Sequence, residues 1–227
     1  KDVIPRIVEE AEPNGTIRVW VAGCASGEEA YSLAMLFSEC IANKHSALEL
    51  KIFATDVHHR SLRTAAQGVY PEEALQEVSE ERRERFFCQQ RDGYHVTREL
   101  RKCVLFAPHN AISDAPFTQM DLVVCRNLLI YFQPQPQKKA LAMFHFALKT
   151  GGTLWLGPSE SPGDFADEFQ VVNSRWRIYR KRRDVRLPLD VRVPLIAGPA
   201  PLSPPMNLLK KSSGAPSIDR NLLATYD

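Results

Sequence analysis

The chain has 227 residues and a mass of 25.7 kDa, enough for one α/β domain with a sizeable core plus tails. Its 44% hydrophobic and 25% charged content is that of a soluble globular protein, and a formal charge of +2 gives no reason to expect a nucleic-acid partner. No apolar run approaches the roughly 18 residues that a membrane span requires, and Lys1-Asp2 does not open a cleavable signal peptide. Cys24, Cys40, Cys88, Cys103 and Cys125 are odd in number and widely spaced, with no C-x-x-C pair or Cys/His metal spacing. A cytoplasmic protein without disulfides, bound metal or membrane insertion is expected.

In chain order, Ile4–Ala11 reads as a short helix closed by the turn Pro13-Asn14-Gly15. Ile17–Ala22 (IRVWVA) has the β-branched and aromatic character of a buried parallel strand. A small-residue turn, Gly23–Gly27, leads into the helical pattern Glu28–Ile41, and a second strand, Leu50–Ala54, stops at Thr55-Asp56. Arg60–Gln67 reads as a helix closed by Gly68, and Glu72–Phe87 as one charged helix. Between Phe86 and Phe106, short pieces around Arg91-Asp92-Gly93 predict a small antiparallel insertion.

Asp121–Cys125 (DLVVC) is the most hydrophobic strand candidate. Gln137–Leu148 is a proline-bounded helix expected to end at a Gly151-Gly152 cap. Thr153–Gly157 and Phe169–Arg180 supply two further strands. Strands alternating with helices predict a Rossmann-like α/β fold, with a mostly parallel central sheet and helices on both faces. The domain is expected over residues 1–183, with the insertion at about 86–106. Residues 184–227, rich in Pro, Gly and Ser, read as a linker or tail.

Three places carry chemistry. A helix that follows the Gly23–Gly27 turn presents free backbone amides and a positive dipole end. The turn lacks G-x-G-x-x-G and carries Glu28 and Glu29 instead, which repel a pyrophosphate and suit a cationic group such as an amino-acid ammonium. Those two carboxylates are also compatible with simply favouring the first helical turn. Asp56 ends the second strand 29 residues after Gly27, where an acidic side chain accepts ribose hydroxyls; a helix N-cap is the other reading. Asn127 follows the central strand directly, with Arg126 and Tyr131 nearby, at the edge where open α/β sheets bind ligands; capping of the next segment is the alternative there. His58 and His59 are adjacent and point apart, which disfavours a shared metal. Ser159 and Ser161 have no paired histidine in an elbow motif. The basic run Arg175–Arg186 reads as a solvated edge.

Four segments taken together, AGCASGEEAYSL at Ala22–Leu33, ATDV at Ala54–Val57, VCRNLLIYF at Val124–Phe132 and LKTGGTLWLGPSES at Leu148–Ser161, resemble the CheR-type chemotaxis receptor glutamate O-methyltransferases. The resemblance runs from about Val3 to Lys181. It implies S-adenosylmethionine as cofactor, S-adenosylhomocysteine as product, and a methyl-accepting chemotaxis receptor as partner. By it, Gly23, Cys24 and Glu29 contact the cofactor and Asp56 holds its ribose. Asn110 and Ala111 lie beside the adenine, Arg126, Asn127 and Leu128 complete the contacts, and Tyr131 sits near the reacting methyl. The family normally carries a small helical domain with an N-x-T-x-F-F-R stretch ahead of this one, and this chain opens past that point. Arg91-Asp92-Gly93-Tyr94 resembles the shorter insertion type, implying no tight docking on a receptor's C-terminal pentapeptide. Ile218–Asp227 resembles the lead into a sensory PAS module in fused esterase–methyltransferase proteins.

Overall fold

The apolar run Val19–Ala22 in β1 (Thr16–Ala22) is explained by burial on both faces. Ile17, Val19 and Val21 join a core beneath α1 (Val3–Glu10) and α2 (Glu28–Asn43), whereas Trp20 and Ala22 face a second core beneath α6 (Pro134–Ala147). Trp20 is fully buried, donates its Nε1–H to Thr55 Oγ1 at 2.9 Å, and meets Phe117 and Phe144 edge-on. The structure is a computed structural model describing residues 2–44, 47–185 and 187. All of these lie in the first of two compact units, Lys1–Leu189; the second, Asp190–Asp227, lies outside the described residues. So do most of the expected linker 184–227 and the Ile218–Asp227 segment.

The remaining strands of the main sheet are β2 (Glu49–Asp56), β6 (Val104–Pro108), β7 (Met120–Cys125), β8 (Leu148–Leu156), β9 (Phe169–Asn173) and β10 (Ile178–Lys181). Their order is β6-β2-β1-β7-β8-β10-β9, and only β10 runs antiparallel to its neighbours. The order reverses between β1 and β7, so the crevice for a ligand lies at the carboxyl ends of those strands. This is the expected Rossmann-like architecture with helices on both faces. No helix among the described residues is long and apolar enough to cross a membrane.

Several boundaries differ from the sequence-based expectation. Glu72–Phe87 is not one helix: a 3-10 turn at Glu72–Leu75 and α4 (Glu80–Phe86) are separated by an extended Ser79. The Arg83 guanidinium donates to the Leu75 carbonyl at 2.7 and 3.2 Å, closing the first piece. The small antiparallel sheet is built from β3 (Val69–Tyr70), β5 (Gly93–Val96) and β4 (Phe87–Gln90), in the order β3-β5-β4. Val104–Phe106, assigned by sequence to the insertion, instead belongs to β6 (Val104–Pro108) of the main sheet, after α3 (His59–Gln67) and α5 (Arg98–Lys102). Gly151-Gly152 does not cap α6. The helix stops at Ala147 because Leu148 is already extended, and the glycine pair lies within β8 where the register with β7 shifts. A Cβ on Gly152 would lie 2.8 Å from the Lys149 carbonyl oxygen and 2.9 Å from that of Met120. Finally, Phe169–Arg180 forms a hairpin, β9 and β10, turned through Arg177 at φ 53°.

Candidate cofactor site

The structure brings the residues singled out in the sequence to one edge of the sheet. Gly23 and Cys24 follow β1, Asp56 ends β2, Asn110 and Ala111 follow β6, and Arg126, Asn127 and Leu128 follow β7. These are the carboxyl ends of four neighbouring strands. The first turn is pinned to the second strand, since Gly23 and Cys24 both donate their amides to the Thr55 carbonyl, at 2.8 and 2.9 Å. Tyr70, from the small sheet, donates its hydroxyl to the Ser26 carbonyl at 2.8 Å, so the insertion braces this turn.

Gly27 caps α2 at φ 93° and supplies no side-chain acceptor, leaving the leading amides of a sixteen-residue helix without a side-chain cap. Asp56 does not cap the following helix; that position belongs to His58, whose ring accepts from Ser61 N. The Asp56 carboxylate accepts from Ala25 N at 2.9 Å and His58 N at 2.8 Å. An ionised carboxylate offers about four lone-pair sites, so capacity remains for two hydroxyls. Asn110 folds into a local turn, with Oδ1 accepting from Ile112 N and its own amide donating to Asp114. That amide, above all, holds the Asp114 carboxyl below its usual range. Ala111 is buried against the second core.

The two glutamates after Gly27 differ. Glu29 accepts from Arg126 Nη1 at 2.8 Å, while exposed Glu28 accepts from Ser26 Oγ at 2.8 Å. Arg126 stacks on Trp155 at 5.0 Å, and its buried Nε has no partner among the described residues. Asn127 adopts the left-handed conformation at φ 57°, and its side chain does not cap the 3-10 turn Leu129–Tyr131, whose N-cap is Leu128. Leu128 closes over the first turn: a Cβ on Gly23 would lie 3.1 Å from Leu128 Cδ2. Tyr131, on the same loop, is 78% exposed.

Burial, followed by the charge of Asp56, pushes the Cys24 thiol up to about 12, so Cys24 lines the turn as a neutral group and not as a nucleophile. Glycines that let the backbone approach a ligand, an uncapped helix start and the carboxylates Asp56, Glu28 and Glu29 fit a nucleoside carrying a cationic amino-acid moiety, as S-adenosylmethionine does. Sequence reasoning passed over Glu160, which is buried behind the Asn127 loop. Its signal is the Gly-Pro-Ser-Glu run directly after β8, in which the glutamate carries no assigned role in the sequence reading.

The CheR methyltransferase SAM-binding domain model matches residues 1–178. A Rhodobacter capsulatus protein, described as "Uncharacterized 104.1 kDa protein in hypE 3'region", is 45% identical over 200 residues, covering 88% of this chain and 21% of its own. The "Chemotaxis protein methyltransferase" of Listeria innocua is 37% identical over 168 residues, covering 73% of this chain and 62% of its own. Among solved structures, a TehB-like SAM-dependent methyltransferase from Corynebacterium glutamicum aligns at TM-score 0.45 and 14% identity, over 79% of this chain and 87% of its own. The chain thus spans about a fifth of the first relative's length and about three fifths of the second's. With the family model covering residues 1–178, this chain belongs to the CheR methyltransferase family, of which it carries the S-adenosylmethionine-binding domain.

Proposed function

We propose that this chain is the catalytic domain of a cytoplasmic protein-glutamate O-methyltransferase that forms methyl esters on glutamate side chains of methyl-accepting chemotaxis receptors. The observation that carries this reading is the convergence of the Gly23 turn, Asp56 and the Arg126–Leu128 loop at one sheet edge, in a chain of the CheR family. In this reading Asp56 accepts the ribose hydroxyls and Asn110 and Ala111 border the adenine. Gly23, Cys24 and Glu29 line the amino-acid end, while Arg126, Asn127 and Leu128 close the opposite side. The hairpin between β4 and β5 turns through only Arg91-Asp92, with Gln90 paired to Gly93, which supports receptor recognition without tight pentapeptide docking.

Bound S-adenosylmethionine supplies an electrophilic methyl on a sulfonium. Gly23, Asp56 and the Arg126–Leu128 loop would hold the cofactor, and its methyl would pass to a receptor glutamate oxygen with S-adenosylhomocysteine as the neutral thioether leaving group. A glutamate with an ordinary pKa of about 4.3 is already ionised at neutral pH, so the step requires no general base. What remains for the chain's residues is alignment, which contributes roughly 7–11 kcal/mol in favourable intramolecular cases, and exclusion of water from the acceptor carboxylate. In this reading Tyr131, exposed on the loop after β7, is the hydroxyl assigned to orient a docked acceptor.

The test is transfer of labelled methyl groups from S-adenosylmethionine to receptor, scored as base-labile ester. Tyr131→Phe is expected to lower turnover about tenfold with cofactor affinity nearly unchanged. Equal losses of turnover and affinity would remove the positioning role of Tyr131. Cofactor binding without ester formation, also in a chain extended upstream, would instead identify a binding module.

A further inference from the structure

Glu160 follows β8 in the run Gly157-Pro158-Ser159-Glu160 and is 4% exposed. Its partners are main-chain amides. Oε2 accepts from Gly157 N at 2.6 Å and Asn127 N at 3.2 Å, and Oε1 accepts from Leu128 N at 3.0 Å and Leu129 N at 2.8 Å. Three of these four donors are consecutive residues after β7, and the fourth directly follows the neighbouring strand β8. Charge-assisted bonds of this kind are stronger than neutral ones, and four together compensate a buried carboxylate.

Two features show that the contact is built into the fold. Asn127 sits at φ 57°, a conformation that costs a non-glycine residue energy unless its surroundings hold it there. Gly157 leaves the space that the contact needs: a Cβ on it would lie 2.6 Å from Glu160 Oε2 and 2.9 Å from Asn127 N. From Asn127 the series continues to Leu128, whose side chain rests against Gly23 in the first turn.

We propose that Glu160 is a positioning residue for methyl transfer. It clamps the main chain of Asn127–Leu129, thereby fixing Leu128 over the Gly23 turn and setting where Tyr131 stands. Glu160 acts through that loop and does not itself touch the reacting atoms. The inference rests on the reading of the Arg126–Leu128 loop as a cofactor contact.

Glu160→Gln and Glu160→Asp in the full chain test it, with three readouts: amide exchange over 125–132, calorimetric affinity for S-adenosylhomocysteine, and turnover against KM for receptor. Glutamine keeps the volume but turns an NH2 toward amide donors. In it, exchange at 127–129 is expected to accelerate while β1 and β2 remain protected. Cofactor affinity should fall about tenfold to a hundredfold, and turnover should fall more than receptor KM changes. Aspartate, which keeps the charge on a shorter arm, should recover part of the affinity. Unchanged exchange at 127–129 overturns the clamp, and accelerated exchange with unchanged affinity overturns its role at the cofactor. Failure of both the unaltered chain and one extended upstream to bind S-adenosylhomocysteine is a separate result that removes the functional reading; exchange at 127–129 then still confirms or overturns the clamp.

Discussion

Replacing Asp56 with alanine is expected to weaken S-adenosylhomocysteine binding by about tenfold to a hundredfold while the domain stays folded. The side chain ends β2 at the crevice, and helix capping does not occupy it because His58 fills that position. It also accepts from Ala25 N and His58 N, so alanine removes one support of the Gly23–Gly27 turn and one at the start of α3, together with the proposed ribose acceptor. Asp56→Asn separates the two contributions. Asparagine keeps one acceptor oxygen but presents an NH2 that cannot accept from a hydroxyl or an amide. An intermediate loss of affinity is expected, with the thermal midpoint closer to that of the unaltered chain. Unchanged affinity in Asp56→Ala, measured by calorimetry, would rule out the ribose assignment.

Gly27→Ala is expected to be among the most destabilising single changes at this edge. Gly27 sits at φ 93°, where a Cβ would lie 2.8 Å from Ala65 Cβ and 3.1 Å from two ring carbons of Phe106. The left-handed backbone costs about 1–2 kcal/mol for a non-glycine residue, and overpacking against neighbours adds roughly 1–3 kcal/mol. Gly151→Ala is the matched control. It shares a positive φ of 82°, yet a Cβ there meets nothing within 4 Å, so only the backbone cost of about 1–2 kcal/mol applies. Urea unfolding of the pair measures the difference. Equal losses in the two variants would show that the turn relaxes away from α3 and β6 without cost.

The parts of the fold that were legible in the sequence are those whose burial is symmetric. β1 and β7 are covered on both faces, so IRVWVA and DLVVC announce themselves as largely apolar runs; Gly23 marks where the first stops and Arg126-Asn127 where the second does. β6 was hidden because it is an edge strand: Leu105 is 59% exposed, and half-buried VLFAP reads like part of a hairpin. The charged stretch Glu72–Phe87 has helical composition throughout. Its break depends on a side-chain-to-backbone bond from Arg83 that no local pattern encodes. The Gly151-Gly152 pair suited a helix cap and a strand irregularity equally, and only the pairing of β8 with β7 decides between them.

At the site, Asp56 and Asn127 were legible as polar side chains at the ends of strong strand patterns. Their partners were not. The Glu29–Arg126 pair joins residues 97 apart in sequence, and the bonds from Glu160 to the Asn127 loop span 31 to 33. Such pairings are set by strand order, which becomes visible only once the sheet is assembled.

The most direct measurement is calorimetric titration of the chain with S-adenosylhomocysteine, using NAD as the control ligand. Saturable binding of S-adenosylhomocysteine, with no heat from NAD, is the predicted result. Binding of NAD, or binding of neither ligand by this chain and by one extended upstream, would contradict the assignment of this sheet edge to the sulfonium cofactor.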